Sequence, residues 1–313
     1  MLRVIGEGET QKLIDMPRAL RVVEQIFRHR AAGKVRSLPR RRLSSRRRQL
    51  NVMAAWQADW DLLGLRAYMG GANTITLYDG RSGEFNLVLN ARYLSSLRTG
   101  AASGVAAKYL APKKARVLGL IGTGKQAAFQ LEALLRVRPI HRVLVFGRDG
   151  KKRREFIARM SRLCAAELKE ASSMEEVESV SDIIALATNS TTPVLEGSRI
   201  QEDVLIITMG ANSPTRHEVA TDLLGRMDLV VTDDLATAQD GSGDLILACR
   251  AGTLRWENVV LLETIVSTPK ADPRPRRVLF QSNGIADEDL AVARYVLEQV
   301  RKNKLKLKAI PGL

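Results

Sequence analysis

Cysteine and histidine are scarce in this 313-residue chain, which has two of the first, Cys164 and Cys249, and three of the second, His29, His141 and His217. The cysteines stand far apart without the spacing of a metal site, and no two histidines form a close pair, so no zinc centre is expected. Long apolar runs are missing as well. None approaches the length of a membrane span, and the N-terminal "MLRVIGEGETQKL" lacks the apolar core of a secretory signal. A soluble cytoplasmic protein with no membrane partner is therefore expected. The chain shows no internal repeat and no low-complexity segment. With 45% hydrophobic and 27% charged residues it is ordinary globular material, long enough for two domains.

Negative charge is in short supply too: the net charge is +15 and the pI near 10.2. Arginines crowd most densely in "RSLPRRRLSSRRRQL", Arg36 to Leu50. A nucleic-acid patch would interleave aromatics for base stacking, and this run has none. No nucleic-acid motif occurs elsewhere, so such a partner is not expected. The run reads as a solvated basic face, or as a face from which one or two arginines bind a small carboxylate by bidentate pairing.

The first hundred residues alternate irregularly. Pro17 to Ala32 is an amphipathic helix by spacing, "GLRAYM" a strand, "TITLYDGRSGEFNLVL" a hairpin about Asp79 to Gly83, and Ser95 to Leu110 an alanine-rich helix ending before Pro112. From Arg116 the rhythm changes. "RVLGLIG", "RVLVFG", "DIIALAT", "DVLIITMG" and "MDLVVTDD" are short apolar runs separated by helical or polar stretches, as in a parallel doubly wound sheet. Asp287 to Lys308 reads as a closing helix with a basic tail. The fold class expected is α/β, a Rossmann-type doubly wound domain over 112–285 beside an α+β domain built from 1–111 and 286–313.

In "VLGLIGTGKQAAFQLEALLR", Val117 to Arg136, a buried strand runs into a glycine turn and then a helix, which is the context a dinucleotide fingerprint needs. Gly122 allows the tight turn, Gly124 lets the backbone approach a pyrophosphate, and Ala127 replaces the third glycine. The N–H groups that open the helix, along Gly122-Thr123-Gly124-Lys125-Gln126, would face the phosphates. Ligands of such sheets sit at the carboxyl ends of the strands, which singles out Arg148, Thr188, Gly210 to Asn212, and Asn283. About 20 residues past the glycines an NAD site carries an acid for the ribose hydroxyl. Here Arg148 stands at that place with Lys151, Lys152 and Arg153 behind it, favouring NADP with NAD possible. Asp149 is the complication, since a shift of one residue would restore an acid.

"LRTGAASGVAAKYLA", "GTGKQA", "LATNSTTPVL", "MGANSPTRHEV" and "SNGIADEDLA" together resemble the ornithine cyclodeaminase/mu-crystallin family, in the family's order; "LPRRRL" and "LGLRAYM" match it more loosely. The resemblance implies NAD(P)-dependent chemistry on amino acids and their imines, and a homodimer formed through the α+β domain, which also holds part of the substrate site. It implies that Arg98 binds the substrate carboxylate near the cofactor phosphates, with Arg40 a second contact and Arg42 the alternative. It further implies that Gln126, Thr188, Met209 and Arg216 line the cofactor and that Asn283 closes over the nicotinamide.

Two positions depart from the cyclodeaminase pattern. Asn212 stands where an aspartate is usual, and an amide cannot take a proton from an amine. Arg66 replaces a common lysine and is a poor general acid, although it can bind a carboxylate or stabilise developing negative charge. Cyclodeamination needs more proton transfer than hydride delivery to a preformed iminium. A pyrroline-2-carboxylate type of ketimine reductase is expected first, with Arg66 and Asn212 as its candidate catalytic residues. Alanine or another amino-acid dehydrogenase is next, then ornithine cyclodeaminase; an NADP-dependent small-ligand-binding protein is the remotest alternative.

Overall fold

The computed structural model describes residues 2–268, 275–305 and 307–310 and divides into two compact units. The first comprises residues 1–101 and 284–313, the second 102–283. One boundary lies inside a long helix, ten residues before the sequence reading set it, because that helix runs through from one unit to the other.

In chain order the first unit opens with β1 (Leu2–Ile5), α1 (Glu7–Leu13) and α2 (Met16–Ala31). It continues through β2 (Val35–Ser44), β3 (Gln49–Gln57), β4 (Leu62–Met69), β5 (Ala72–Asp79) and β6 (Phe85–Asn90) to α3 (Arg92–Leu110). Asp15 caps α2 by accepting from the Arg18 N–H, and Pro17 occupies the first turn, where no backbone donor is needed. The second unit runs β7 (Val117–Ile121), α4 (Lys125–Val137), β8 (Arg142–Phe146), α5 (Gly150–Met160), β9 (Glu167–Glu170), α6 (Met174–Val180), β10 (Ile183–Leu186) and β11 (Val204–Thr208). After these come α7 (Thr221–Gly225), β12 (Leu229–Thr232), α8 (Leu235–Gly241), α9 (Gly243–Arg250), β13 (Val259–Leu261), α10 (Leu262–Ser267) and β14 (Arg277–Gln281). The chain then returns to the first unit with α11 (Ala286–Lys302) and β15 (Lys308–Ile310).

The second unit is a parallel sheet in the order β13-β12-β14-β11-β10-β7-β8-β9. Its central strands β7, β10 and β11 are buried along their whole length, which is why they read as unbroken apolar runs. Order reverses between β7 and β10, the switch point at which such sheets bind ligands. The first unit is a mixed sheet in the order β15-β1-β6-β5-β4-β3-β2, with α2 and α11 packed on one face. Its other face presents Leu38, Ala54, Trp56, Leu63, Leu65 and Tyr78 around a groove of about 300 Å³; Leu38 is 65% exposed.

Two expectations are corrected here. The closing helix stops at Lys302, six residues before the expected Lys308, and Lys304 turns at φ 48°. Lys308–Ile310 instead pairs antiparallel with β1, Val4 opposite Lys308, so tertiary pairing overrides the helical tendency of a Lys/Leu tail; Lys306 lies outside the described residues. The basic run is not one solvated face either. Much of it is strand β2, in which an irregularity of register between Leu38 and Arg41 leaves Arg40 buried while Arg41 is exposed.

Candidate active site

The first unit gathers arginines around the N-terminal turn of α11. Asp287, Glu288 and Asp289 are all buried there, each with an arginine. Asp287 pairs with Arg30. Glu288 accepts from Arg98 Nη1 at 2.9 Å, while Asp289 Oδ1 accepts from both Arg98 Nε and Arg66 Nη1 at 3.0 Å. Asp289 therefore bridges the two arginines. Burial alone would weaken the hold of Arg98 on its proton, but Asp289 and Glu288 reverse this and raise its pKa. For Arg66 burial prevails and the pKa falls, against the opposing pull of Asp289.

Arg66 is committed on every nitrogen: Nε donates to Asn73 at 3.3 Å, Nη1 to Asp289, and Nη2 to the Ser95 hydroxyl at 2.7 Å. Its guanidinium also lies 4.6 Å from the centre of the Tyr68 ring. Arg40, 7% exposed, donates from Nη2 to the Gly284 carbonyl at 2.9 Å. Gly284 adopts φ +75°, and the Arg98 guanidinium occupies the space a side chain would need there. Gly284 thus brings Arg40 and Arg98 together. Arg42 is only partly buried, two residues further along β2.

In the second unit, Gly122 turns at φ +110°, and the first carbon of any side chain there would stand 2.5 Å from the Ala187 carbonyl oxygen, which excludes larger residues. Gly124 is the N-cap of α4 and supplies no side-chain cap to the first turn of the helix. Thr123 lies between the two glycines, and a side chain built on Gly124 would project into open space. Gln126 Oε1 is buried without a hydrogen-bond partner among the described residues. A helix N-terminus without a side-chain cap and a glycine turn fit the pyrophosphate of a dinucleotide, whereas the orphaned amide oxygen, an acceptor, suits a hydroxyl donor such as a ribose. At the end of β8 Arg148 is exposed, whereas Asp149 is the N-cap of α5 and accepts from the Lys152 N–H at 3.1 Å. Arg153 bonds Glu170 and the Gly147 carbonyl.

Thr188 follows β10 and Met209 follows β11, neighbouring strands paired Leu186 with Thr208. Asn212 donates from Nδ2 to the Met209 carbonyl at 3.4 Å, and Arg216 Nη1 reaches Asn212 Oδ1 at 3.5 Å. Asn283, after β14, is buried, its amide nitrogen donating to Thr232 at 2.9 Å and Asp233 at 3.1 Å. Sequence reasoning missed the acids that hold these groups. Glu218 and Asp244 are buried in the second unit, and burial raises the pKa of both. The nearby charge of Glu218 helps push Asp244 up to about 8. Asp287, Glu288 and Asp289 read in sequence as ordinary acids at a helix start, and Glu218 lay inside a motif with nothing to distinguish it.

The family model for the ornithine cyclodeaminase/mu-crystallin family matches residues 4–304. The chain belongs to that family. Alanine dehydrogenase of Archaeoglobus fulgidus is 33% identical over 308 residues, 94% of each chain. Among solved structures, Thermococcus litoralis Delta(1)-pyrroline-2-carboxylate reductase in complex with NADH and L-proline gives a TM-score of 0.92 at 26% identity, over 98% of this chain and 100% of that one. An archaeal alanine dehydrogenase dimer with bound NAD gives 0.91 at 29% identity, over 99% of each. The two solved structures share the α/β fold of this chain, whose one unit is built on a parallel sheet and the other on a mixed sheet.

Proposed function

We propose that this member of the family is an NAD(P)H-dependent reductase of cyclic α-imino acids, of the pyrroline-2-carboxylate type. The observation that carries the reading is Asn212: after β11 the chain offers an amide tied to Met209 and Arg216, and no carboxylate to take a proton. The first unit supplies the carboxylate clamp, with Arg98 and Arg40 presenting planar donors. Arg66, saturated by Asp289, Ser95 and Asn73, acts by bracing Arg98 through Asp289; we assign it this positioning role in preference to the catalytic and carboxylate-binding role its place in the motif suggested. The second unit supplies the cofactor site, from the Gly122–Gln126 turn through Arg148 to Thr188, Met209, Arg216 and Asn283. A nicotinamide bound there would supply the hydride. The arginines would fix the planar carboxylate and with it the orientation of the C=N bond, and a protonated imine needs no further acid. Oxidation of the reduced cofactor when Δ1-pyrroline-2-carboxylate is added to the purified protein tests the reading.

Alanine dehydrogenation is the second reading, favoured by the Archaeoglobus relative. It requires a base in the oxidative direction, and Asn212 is not one.

The cofactor preference we assign is NADP, with NAD accepted. Asp149 is spent as a helix cap, which leaves exposed Arg148 to meet a ribose 2′-phosphate. Arg148→Ala is expected to weaken NADPH by about 1–3 kcal/mol, the worth of a charge-assisted hydrogen bond, with NADH nearly unchanged. Titration of each cofactor by fluorescence checks it; an equal loss for both would place the selectivity elsewhere. The uncovered apolar face of the first unit, with Leu38, Trp56 and Leu63, supports a homodimer formed through that sheet. Two free thiols and the absence of a membrane-length apolar helix among the described residues support the cytoplasm as its compartment.

A further inference from the structure

Glu218 is fully buried, and no lysine or arginine pairs with it among the described residues. Its carboxylate is satisfied by five donors. Oε1 accepts from the Thr188 backbone N–H at 2.7 Å and from the Thr188 hydroxyl at 2.8 Å. Oε2 accepts from the N–H groups of Met209 at 3.1 Å, Gly210 at 2.6 Å and Ala211 at 3.3 Å. One oxygen thus holds the segment leaving β10, and the other holds the segment leaving β11. The Glu218 backbone is itself fixed, because Asp244 Oδ1 accepts its N–H at 2.8 Å and that of Val219 at 3.3 Å.

A buried carboxylate is costly, and a neutral side chain could not replace it. All five donors point at acceptor oxygens, and an amide would present two hydrogens of its own to one of the two segments. Of the two acids, Glu218 with five donors is the one suited to the charge. Asp244 Oδ2, buried and without a partner, suits the proton.

We infer that Glu218 is a positioning residue for the nicotinamide end of the cofactor, its carboxylate fixing the strand-end segments that carry Thr188, Met209 and Asn212. The inference rests on the cofactor reading above and adds a division of labour to it. The N–H groups of Thr188, Met209, Gly210 and Ala211 are consumed by Glu218, so these four do not serve the phosphates. Those fall to the N-terminus of α4, which Glu218 does not touch. Loss of Glu218 should therefore be felt by one half of the cofactor only.

The test compares NADPH with 2′-phospho-ADP-ribose, which carries the adenine half and pyrophosphate without nicotinamide. Dissociation constants are measured on wild type, Glu218→Gln and Glu218→Asp, with thermal melting of each. Glu218→Gln should weaken NADPH about tenfold, one charge-assisted contact or more, and leave the fragment within about twofold. Glu218→Asp keeps the charge but is too short to span both segments, and should show a smaller loss of the same selective kind. If only Glu218→Gln fails to fold, Glu218→Asp carries the comparison. Equal losses for NADPH and fragment, no loss for either, or failure of both variants to fold would overturn the inference and leave Glu218 a plain structural group. A wild type that binds neither NADPH nor NADH would instead overturn the cofactor reading, and the inference with it.

Discussion

Arg98→Lys should lower kcat/KM for a cyclic imino acid by roughly 100-fold, about 3 kcal/mol of transition-state stabilisation, with the protein still folded. The substitution keeps the charge that Glu288 and Asp289 require, so no buried carboxylate is left without a cation. It removes the planar fork. In the wild type Nε and Nη1 are spent on Asp289 and Glu288, which holds the guanidinium rigid and leaves Nη2 for a substrate oxygen. A lysine ammonium is a single point on a flexible stem, and serving the two acids turns it away from the substrate. Alanine at Arg47 or Arg48, both exposed, should change turnover by less than about twofold. Steady-state rates on the three variants, with melting curves as the folding control, decide the matter. A larger effect at Arg47 or Arg48 than at Arg98 would refute the clamp.

The second large effect is expected at Asn212. Asn212→Asp introduces a carboxylate beside Arg216, whose Nη1 stands 3.5 Å from the present amide oxygen, so the new group ionises readily. A base should then be available to the amino acid, and oxidation of L-proline at alkaline pH should rise by about tenfold or more, the lower end of what a placed base contributes. Reduction should slow, since the added negative charge stabilises the iminium cation, whose charge is lost as hydride adds to its carbon. In the wild type the reductive rate should fall as pH rises and the imine deprotonates, with no acidic limb from an enzyme carboxylate. Initial rates in both directions across pH, followed by nicotinamide absorbance, show this. No change in either direction would remove Asn212 from the chemistry.

The fold was largely legible because the second unit's central strands are buried on both faces and their apolar runs cannot be mistaken. The glycine turn was legible for a related reason: Gly122 at φ +110° is a backbone requirement written as a residue type. Strands β9 and β13, of four and three residues, carry too few side chains to show a period. β15 exists through its pairing with β1, a partner some three hundred residues away that no local pattern reveals. The site divides the same way. Arg98 and Asn212 sit in recognisable motifs, whereas the burial of Arg40 depends on the irregularity in β2. The acids that orient the arginines and loops, Asp289 and Glu218, are ordinary letters until the fold closes on them. Their partners lie at a distance in sequence, Arg66 for Asp289 and Thr188 for Glu218.

Two substrates offered side by side to the purified protein separate imine reduction from cyclodeamination. Δ1-pyrroline-2-carboxylate with NADPH or NADH should oxidise the cofactor and yield proline, whereas ornithine with catalytic NAD(P)+ should release no ammonia and form no proline. Ammonia and proline from ornithine at a rate comparable to imine reduction would contradict the reductase assignment and restore cyclodeamination.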